Sequence, residues 1–230
     1  MLAVLKKELK TYFLTPLGYV FLAIFMALFS NIFFSMVFGG MTGDYAKFEY
    51  VIYNSLIILT FITPVLTMRM FAEEKNSGTD QLLFTSPKSI IGIVLGKFLA
   101  ATVVILITMA IMLIYYIILT RFGNPSLKVA LVALFGFLLI AMAYISFGMF
   151  ASSVAPNQLI AAIITIGFFI ITSFFTSSNG VIGTFSLLDM YQKFPLGIIA
   201  LEELIGYISF ITLFVLLTMI VLQRRKSVNR

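Results

Sequence analysis

The sequence predicts an all-α polytopic membrane protein with six transmembrane helices in a single domain over residues 1–230. Three observations predict it. The chain is 61% hydrophobic and 10% charged, with mean hydropathy +1.12, whereas a soluble domain is about half apolar and a quarter charged. No soluble fold of this size buries that much apolar surface, so lipid is the solvent. The apolar residues also fall into runs of spanning length, about 20 residues each, and six such runs occupy most of the chain. Finally, no charged residue lies in the middle of a run; the charges gather between the runs and at their ends.

Residues 1–15 read as an interfacial amphipathic helix. Leu2, Leu5, Leu9, Tyr12 and Phe13 recur at helical spacing, with Lys6, Lys7, Glu8 and Lys10 on the other face. The segment is too short and too charged to span, and it suits the membrane interface. The apolar run behind it is too long for a signal-peptide core and no small-residue cleavage site follows, so it is read as an uncleaved anchor. Pro16 breaks the helix. The first span covers 17–38 and ends at Gly39-Gly40. A polar loop with Asp44, Lys47 and Glu49 leads to the second span, 51–70, which Pro64 should kink.

Residues 69–97 are the main polar interruption. Ser77-Gly78-Thr79-Asp80 has the spacing of a helix start. A small amphipathic helix then covers 80–85, with Leu82, Leu83 and Phe84 side by side, an apolar triple that needs cover. Ser86-Pro87 has the pattern of an N-cap followed by proline in the first turn of the next helix. That helix carries the third span, 90–120. Its first turns hold Lys88 and Lys97 and should protrude from the hydrocarbon, and Gly92, Gly96 and Ala100 form a small-residue stripe that lets another helix approach closely. Residues 121–128 turn tightly around Gly123-Asn124-Pro125 into the fourth span, 129–151. An uncharged turn, 152–158, leads to the fifth, 159–175. Residues 176–202 are Ser- and Gly-rich at first and then carry Leu187-Leu188-Asp189-Met190-Tyr191, read as short helices dipping into the outer interface. The sixth span covers 204–222 and ends in Arg224, Arg225 and Lys226.

Basic residues set the orientation. With both termini in the cytoplasm, the inner side holds Lys6, Lys7, Lys10, Arg69, Lys75, Lys88, Lys97, Arg224, Arg225, Lys226 and Arg230, against Lys47, Arg121, Lys128 and Lys193 outside. This puts residues 70–97 in the cytoplasm of a cell inner (cytoplasmic) membrane protein. The net charge of +6 is therefore a topology signal, and no basic motif points to nucleic acid.

The chemistry is sparse. There is no Cys and no His, which removes thiol catalysis and the commonest zinc ligands. There is no Walker A loop, so this chain does not hydrolyse ATP itself, and no catalytic constellation or metal site is visible. Arg69 and Arg121 lie at helix ends, where they snorkel. Ion-coupled carriers usually keep a charge or histidine at mid-membrane, and none is present. Thr102, Ser146 and Thr165 read as bonded back to their own helices. The 25 Phe and 12 Met suit either an apolar path for a lipid-like substrate or ordinary helix packing, and packing is preferred.

Three local signatures resemble the ABC-2-type permeases, the membrane subunits of ABC exporters. They are Lys-Lys-Glu-Leu-Lys-Thr-Tyr-Phe-Leu-Thr-Pro-Leu-Gly-Tyr-Val at 6–20, Phe-Ala-Glu-Glu-Lys-Asn-Ser-Gly-Thr-Asp-Gln-Leu-Leu-Phe-Thr-Ser-Pro at 71–87 with Gly96-Lys97-Phe98 after it, and Phe-Pro-Leu-Gly-Ile-Ile at 194–199. The resemblance spans the chain and is nearest to the single-domain permeases of gliding motility and nitrous-oxide-reductase maturation. It implies a separate ATP-binding subunit that holds ATP and Mg, this chain having no cofactor of its own. It also implies a second permease chain, identical or related, in the bilayer. Residues 70–97 would then carry a coupling helix seated in a groove of the ATPase. Glu73 and Glu74 would face its basic residues, Gly78 and Thr79 would form the turn, and Leu82, Leu83 and Phe84 would fill the groove ahead of Pro87. Ser153, Pro156 and Asn157 would make a second, smaller contact. Residues 194–199 would be the outer re-entrant segment. The alternatives are a membrane anchor that transmits force from an ATPase, and a self-sufficient channel or secondary carrier.

Overall fold

The computed structural model describes residues 2–38, 47–78, 89–174 and 186–228. Helix α1 (Leu2–Leu14) turns through Thr15 into α2 (Pro16–Phe38), and α3 (Phe48–Thr67) is followed after one residue by α4 (Arg69–Asn76). Then come α5 (Ile90–Leu119), α6 (Leu127–Val154), α7 (Gln158–Phe174), the short α8 (Leu187–Tyr191), a 3-10 turn (Phe194–Leu196) and α9 (Leu201–Val228). No strand occurs among the described residues. Five segments are long and apolar enough to cross a membrane, carried by α2, α3 with α4, α5, α6 and α9, and α7 is a shorter apolar helix. The fold is the all-α polytopic membrane fold that the composition demands.

Helix α6 is its axis. It packs against α3, α5, α7, α9 and the 3-10 turn, and its small residues Ala130, Ala133, Gly136, Ala141, Ala143 and Gly148 are buried. Small side chains let helix backbones approach where apolar burial drives no association. A Cβ on Gly136 would lie 2.5 Å from Cγ of Phe194, so the 3-10 turn sits in the notch this glycine leaves. The phenylalanines fill the layer between α6, α7 and α9: Phe147 stacks on Phe168 at 3.8 Å and Tyr144 on Phe169 at 4.0 Å. They serve packing. Thr102, Ser146 and Thr165 bond back to carbonyls of their own helices.

Two joints differ from the sequence-based expectation. The second apolar run is broken at Met68, four residues after Pro64, and the polar stretch opens as helix α4. Ser77 ends that helix: its hydroxyl donates to the Glu73 carbonyl at 2.8 Å, and Gly78 takes a left-handed φ of 68°. Such a residue is the usual way to stop a helix. The helix start expected at 77–80 runs into residues outside the described ones. The cap of α5 is Ser89, whose hydroxyl accepts from the Gly92 amide at 3.2 Å, three residues beyond Ser86. The expected coupling helix at 80–85 and the Ser86-Pro87 pair lie outside the described residues.

At the opposite end of the bundle, Tyr191 donates to the Ala133 carbonyl at 2.9 Å and Tyr207 to the Leu187 carbonyl at 2.7 Å. Lys193 pairs with Glu203 in the first turn of α9. Burial, with the Glu49 carboxylate nearby, pushes the Tyr191 phenol far above its ordinary pKa, so it stays a donor. The segment 187–197 is thus bonded into the bundle at both its tyrosine and its lysine.

Candidate functional site

Those predicted contact residues that are described, Glu73, Glu74, Gly78, Ser153, Pro156 and Asn157, lie at α4 and the α6–α7 turn, at the end of the bundle that also carries α1. Helix α4 begins without a capping side chain of its own, because Met68 supplies none. Ser152 of α6 supplies one. Its hydroxyl oxygen accepts from the Phe71 and Ala72 amides, each at 3.0 Å, and donates to the Met68 carbonyl at 3.0 Å. A hydroxyl offers one proton and two lone pairs, so this one, wholly buried, is saturated. Lys75 donates to the Ala155 carbonyl at 3.2 Å, and Arg69 to Gln158 at 3.3 Å. Helix α4 is therefore tied along its length to the end of α6 and the start of α7.

On its other side α4 meets α1 and α5 through one buried cation. Lys97 is 3% exposed. Its ammonium donates to the Met70 carbonyl at 2.6 Å and to Glu74 at 2.9 Å, and it pairs with Glu8 of α1 at 3.3 Å. It also lies 5.1 Å from the centre of the Phe71 ring. A buried lysine is tolerated only with such partners. The charges border a cleft of about 210 Å³ between α1 and α4, lined also by Lys7, Thr11 and Glu73. Tyr12 closes its floor and donates to the Leu66 carbonyl at 3.3 Å. Burial and the nearby Glu8 push the Tyr12 phenol well above its ordinary pKa.

Helix α1 reaches this position because of Gly96: a Cβ there would lie 2.9 Å from Cβ of Val4. The helix that uses the small-residue stripe of α5 is thus the N-terminal helix of the same chain.

Glu73 is exposed and pairs loosely with Arg69 at 3.7 Å, whereas Glu74 turns inward to Lys97. Gly78 closes α4, and among the described residues none comes within 4 Å of where its Cβ would lie. Thr79, Leu82, Leu83, Phe84 and Pro87 lie outside the described residues. In the second predicted contact, Ser153 is buried and its hydroxyl donates to the Phe150 carbonyl at 2.7 Å. Asn157 caps α7, accepting from the Ile160 amide at 2.8 Å. In this conformation the turn presents Val154 and Pro156 outward, and Ser153 does not reach its surface. Sequence reasoning missed Lys97, Glu8 and Ser152 as a set. A lysine two turns inside an apolar helix was the available signal, since such a charge must find partners. Ser152 carried no signal, because its role depends on which helix end is folded against it.

No group of three or more His, Cys, Asp or Glu suited to a metal ion occurs among the described residues. What the arrangement does is hold: it fixes the helix that leads into residues 79–88 against three others. A search of curated proteins returns no match. A scan against protein families matches residues 2–229 to the ABC-2 family transporter protein. With nearly the whole chain matched, and with several helices long and apolar enough to span a membrane, the protein belongs to the ABC-2 transporter family as a multi-pass permease subunit of an ABC transporter.

Proposed function

We propose that this permease is an exporter subunit driven by a separate ATP-binding chain through residues 70–97. The partner binds ATP and Mg, and a second permease chain, identical or related, completes the translocation path. The protein lies in the cell inner membrane with both termini in the cytoplasm, as the distribution of Lys and Arg favours. Glu73 and the apolar Leu82, Leu83 and Phe84 dock the ATPase, Gly78 and Thr79 turn the chain between them, and Pro87 starts the return. Pro156 adds the second contact, with Ser153 and Asn157 shaping its turn. ATP-driven closure of the partner rocks the helices between inward- and outward-open states.

The observation that supports this most is the bracing of α4. A helix of eight residues leading into a polar connection has no need of four side-chain tethers, Ser152, Lys75, Arg69 and Lys97, unless a load is applied beyond it. The test is purification of the chain from its native membrane in mild detergent, with an ATPase assay. The expected result is a co-purifying ATP-binding subunit that is lost when Glu73, Leu82 and Leu83 are changed together to Ala, with membrane insertion unchanged. Glu74 is left intact because it neutralises Lys97. Absence of any ATP-binding partner, or retention of it by the triple variant, would overturn the docking assignment.

A further inference from the structure

We propose that Ser152, by capping α4 from the neighbouring helix α6, is a positioning residue that makes α4 and the α6–α7 turn one rigid lever, so that movement of residues 79–88 reaches α6 directly. The coupling role rests on the docking assignment just made; the clamp itself does not.

Three observations carry it. First, the α3–α4 junction is held from outside its own helix. Met68 keeps helical dihedrals and donates its amide to the Pro64 carbonyl, but just beyond it the Phe71 and Ala72 amides bond to Ser152 of α6, so α4 is anchored to α6 as well as to α3. Second, the bonds that cross the joint go to α6. Ser152 makes all three bonds available to a hydroxyl with Met68, Phe71 and Ala72, the residues on either side of the break. One turn earlier on the same face, Gly148 lets Thr67, the last residue of α3, lie against the α6 backbone. One turn later, the Ala155 carbonyl accepts from Lys75. Residues 148, 152 and 155 are thus a single face of α6 shaped to the α3–α4 break. Third, Ser152 lies directly before the turn that carries Pro156, so both proposed ATPase contacts are mounted on the same clamp. One push by the partner then moves both together, and α6, the axis of the bundle, with them.

The chain contains no cysteine, so pairs of spin labels can be placed at will. Asn76→Cys at the end of α4 and Val154→Cys at the end of α6 are both on exposed residues. In nanodiscs the native background should give a narrow 76–154 distance distribution, unchanged when the complex with its ATP-binding subunit is trapped with ATP. Ser152→Ala should broaden that distribution in the permease alone. In the complex it should make the distance shift on ATP trapping, because α4 then moves without α6, while the ATPase still co-purifies and hydrolyses ATP. Hydrogen exchange of the α4 amides should quicken roughly tenfold, the loss expected from removing a helix cap, with α5 unchanged. A residue with only a structural role would alter stability and leave the ATP response of the distance as it was. If Ser152→Ala does not fold, Lys75→Met removes a less buried tether of the same clamp and should broaden the distribution less. An unchanged distribution and exchange rate in both variants overturns the clamp. A clamp lost in Ser152→Ala, but with no ATP-binding subunit co-purifying even with the native chain, overturns the coupling role through failure of the docking assignment.

Discussion

Gly148 of α6 and Thr67 of α3 touch so closely that a Cβ on the glycine would lie 2.8 Å from Cβ of the threonine and nearer still to its hydroxyl. The two helices meet here at backbone spacing. Gly148→Ala must part them, and overpacking of this kind costs about 1–3 kcal/mol. The expected outcome is a lower midpoint of thermal unfolding in detergent. Thr67→Ala in the same chain should recover part of it, since the Thr67 hydroxyl otherwise bonds only within its own helix, to the Thr63 carbonyl. A Gly148→Ala chain as stable as the native one would show that the contact yields without resistance.

The Lys97 cluster predicts a non-additive series. Lys97→Met leaves Glu8 and Glu74 facing each other without their cation, and breaking a buried pair in this way costs about 3 kcal/mol. Glu8→Gln should cost less, because Lys97 keeps Glu74 and the Met70 carbonyl. Replacing all three, Lys97→Met with Glu8→Gln and Glu74→Gln, should recover much of the loss, since no uncompensated charge remains. Thermal unfolding of the four chains checks this; a triple variant no better than Lys97→Met would refute the electrostatic account.

Gly136→Ala should expel Phe194 from its notch and loosen segment 187–197 as a unit. The readout is faster hydrogen exchange across that segment with α6 still protected. Tyr191→Phe removes only the bond to the Ala133 carbonyl and should cost about 1 kcal/mol, with the segment still in place.

The Lys193–Glu203 pair has a pH signature. The hydrogen bond to the Glu203 carboxylate pushes the Lys193 pKa above its ordinary value, outweighing burial, which pulls the other way. The folded state therefore favours the cation. Its contribution is complete below the unfolded lysine pKa of about 10.4 and is lost as the pH rises through the higher folded value. Lys193→Met should unfold at a lower temperature than the native chain at about pH 8, and the gap should close at strongly alkaline pH, above about pH 11. A gap that stays constant with pH would mean that packing of the lysine stem, and not its charge, is responsible.

The apolar helices were legible because hydropathy is a local property: each run names its own helix, though the run at 159–175 gives one shorter than spanning length among the described residues. The α3–α4 break was half legible. Pro64 announced a disturbance, but where the helix stops and resumes depends on Ser152, 84 residues away from the Met68 carbonyl it bonds, and no local pattern encodes that. The polar composition of 69–76 suggested a connection, and its contacts with α6 and Lys97 make it a helix instead. The stripe at Gly92, Gly96 and Ala100 correctly signalled a close neighbour without revealing that the neighbour is α1. Of the predicted contact residues, Glu73 and Pro156 are exposed. Glu74 and Ser153 are engaged within the chain, because a charge and a hydroxyl read from sequence carry no direction.

The position of Lys97 also has a consequence for the order in which the protein is made. Both carboxylates that receive this lysine, Glu8 and Glu74, precede it in the chain. When α5 leaves the ribosome, its counter-charges are already waiting at the membrane surface on α1 and α4. The lysine need never enter a lipid environment alone, and α1, already bonded to α3 through Tyr12 and the Leu66 carbonyl, gains its ionic partner when α5 arrives. The ion pair of α1 thus forms only after α2, α3 and α4 have been made, which makes it a checkpoint on the insertion of the helices between Glu8 and Lys97.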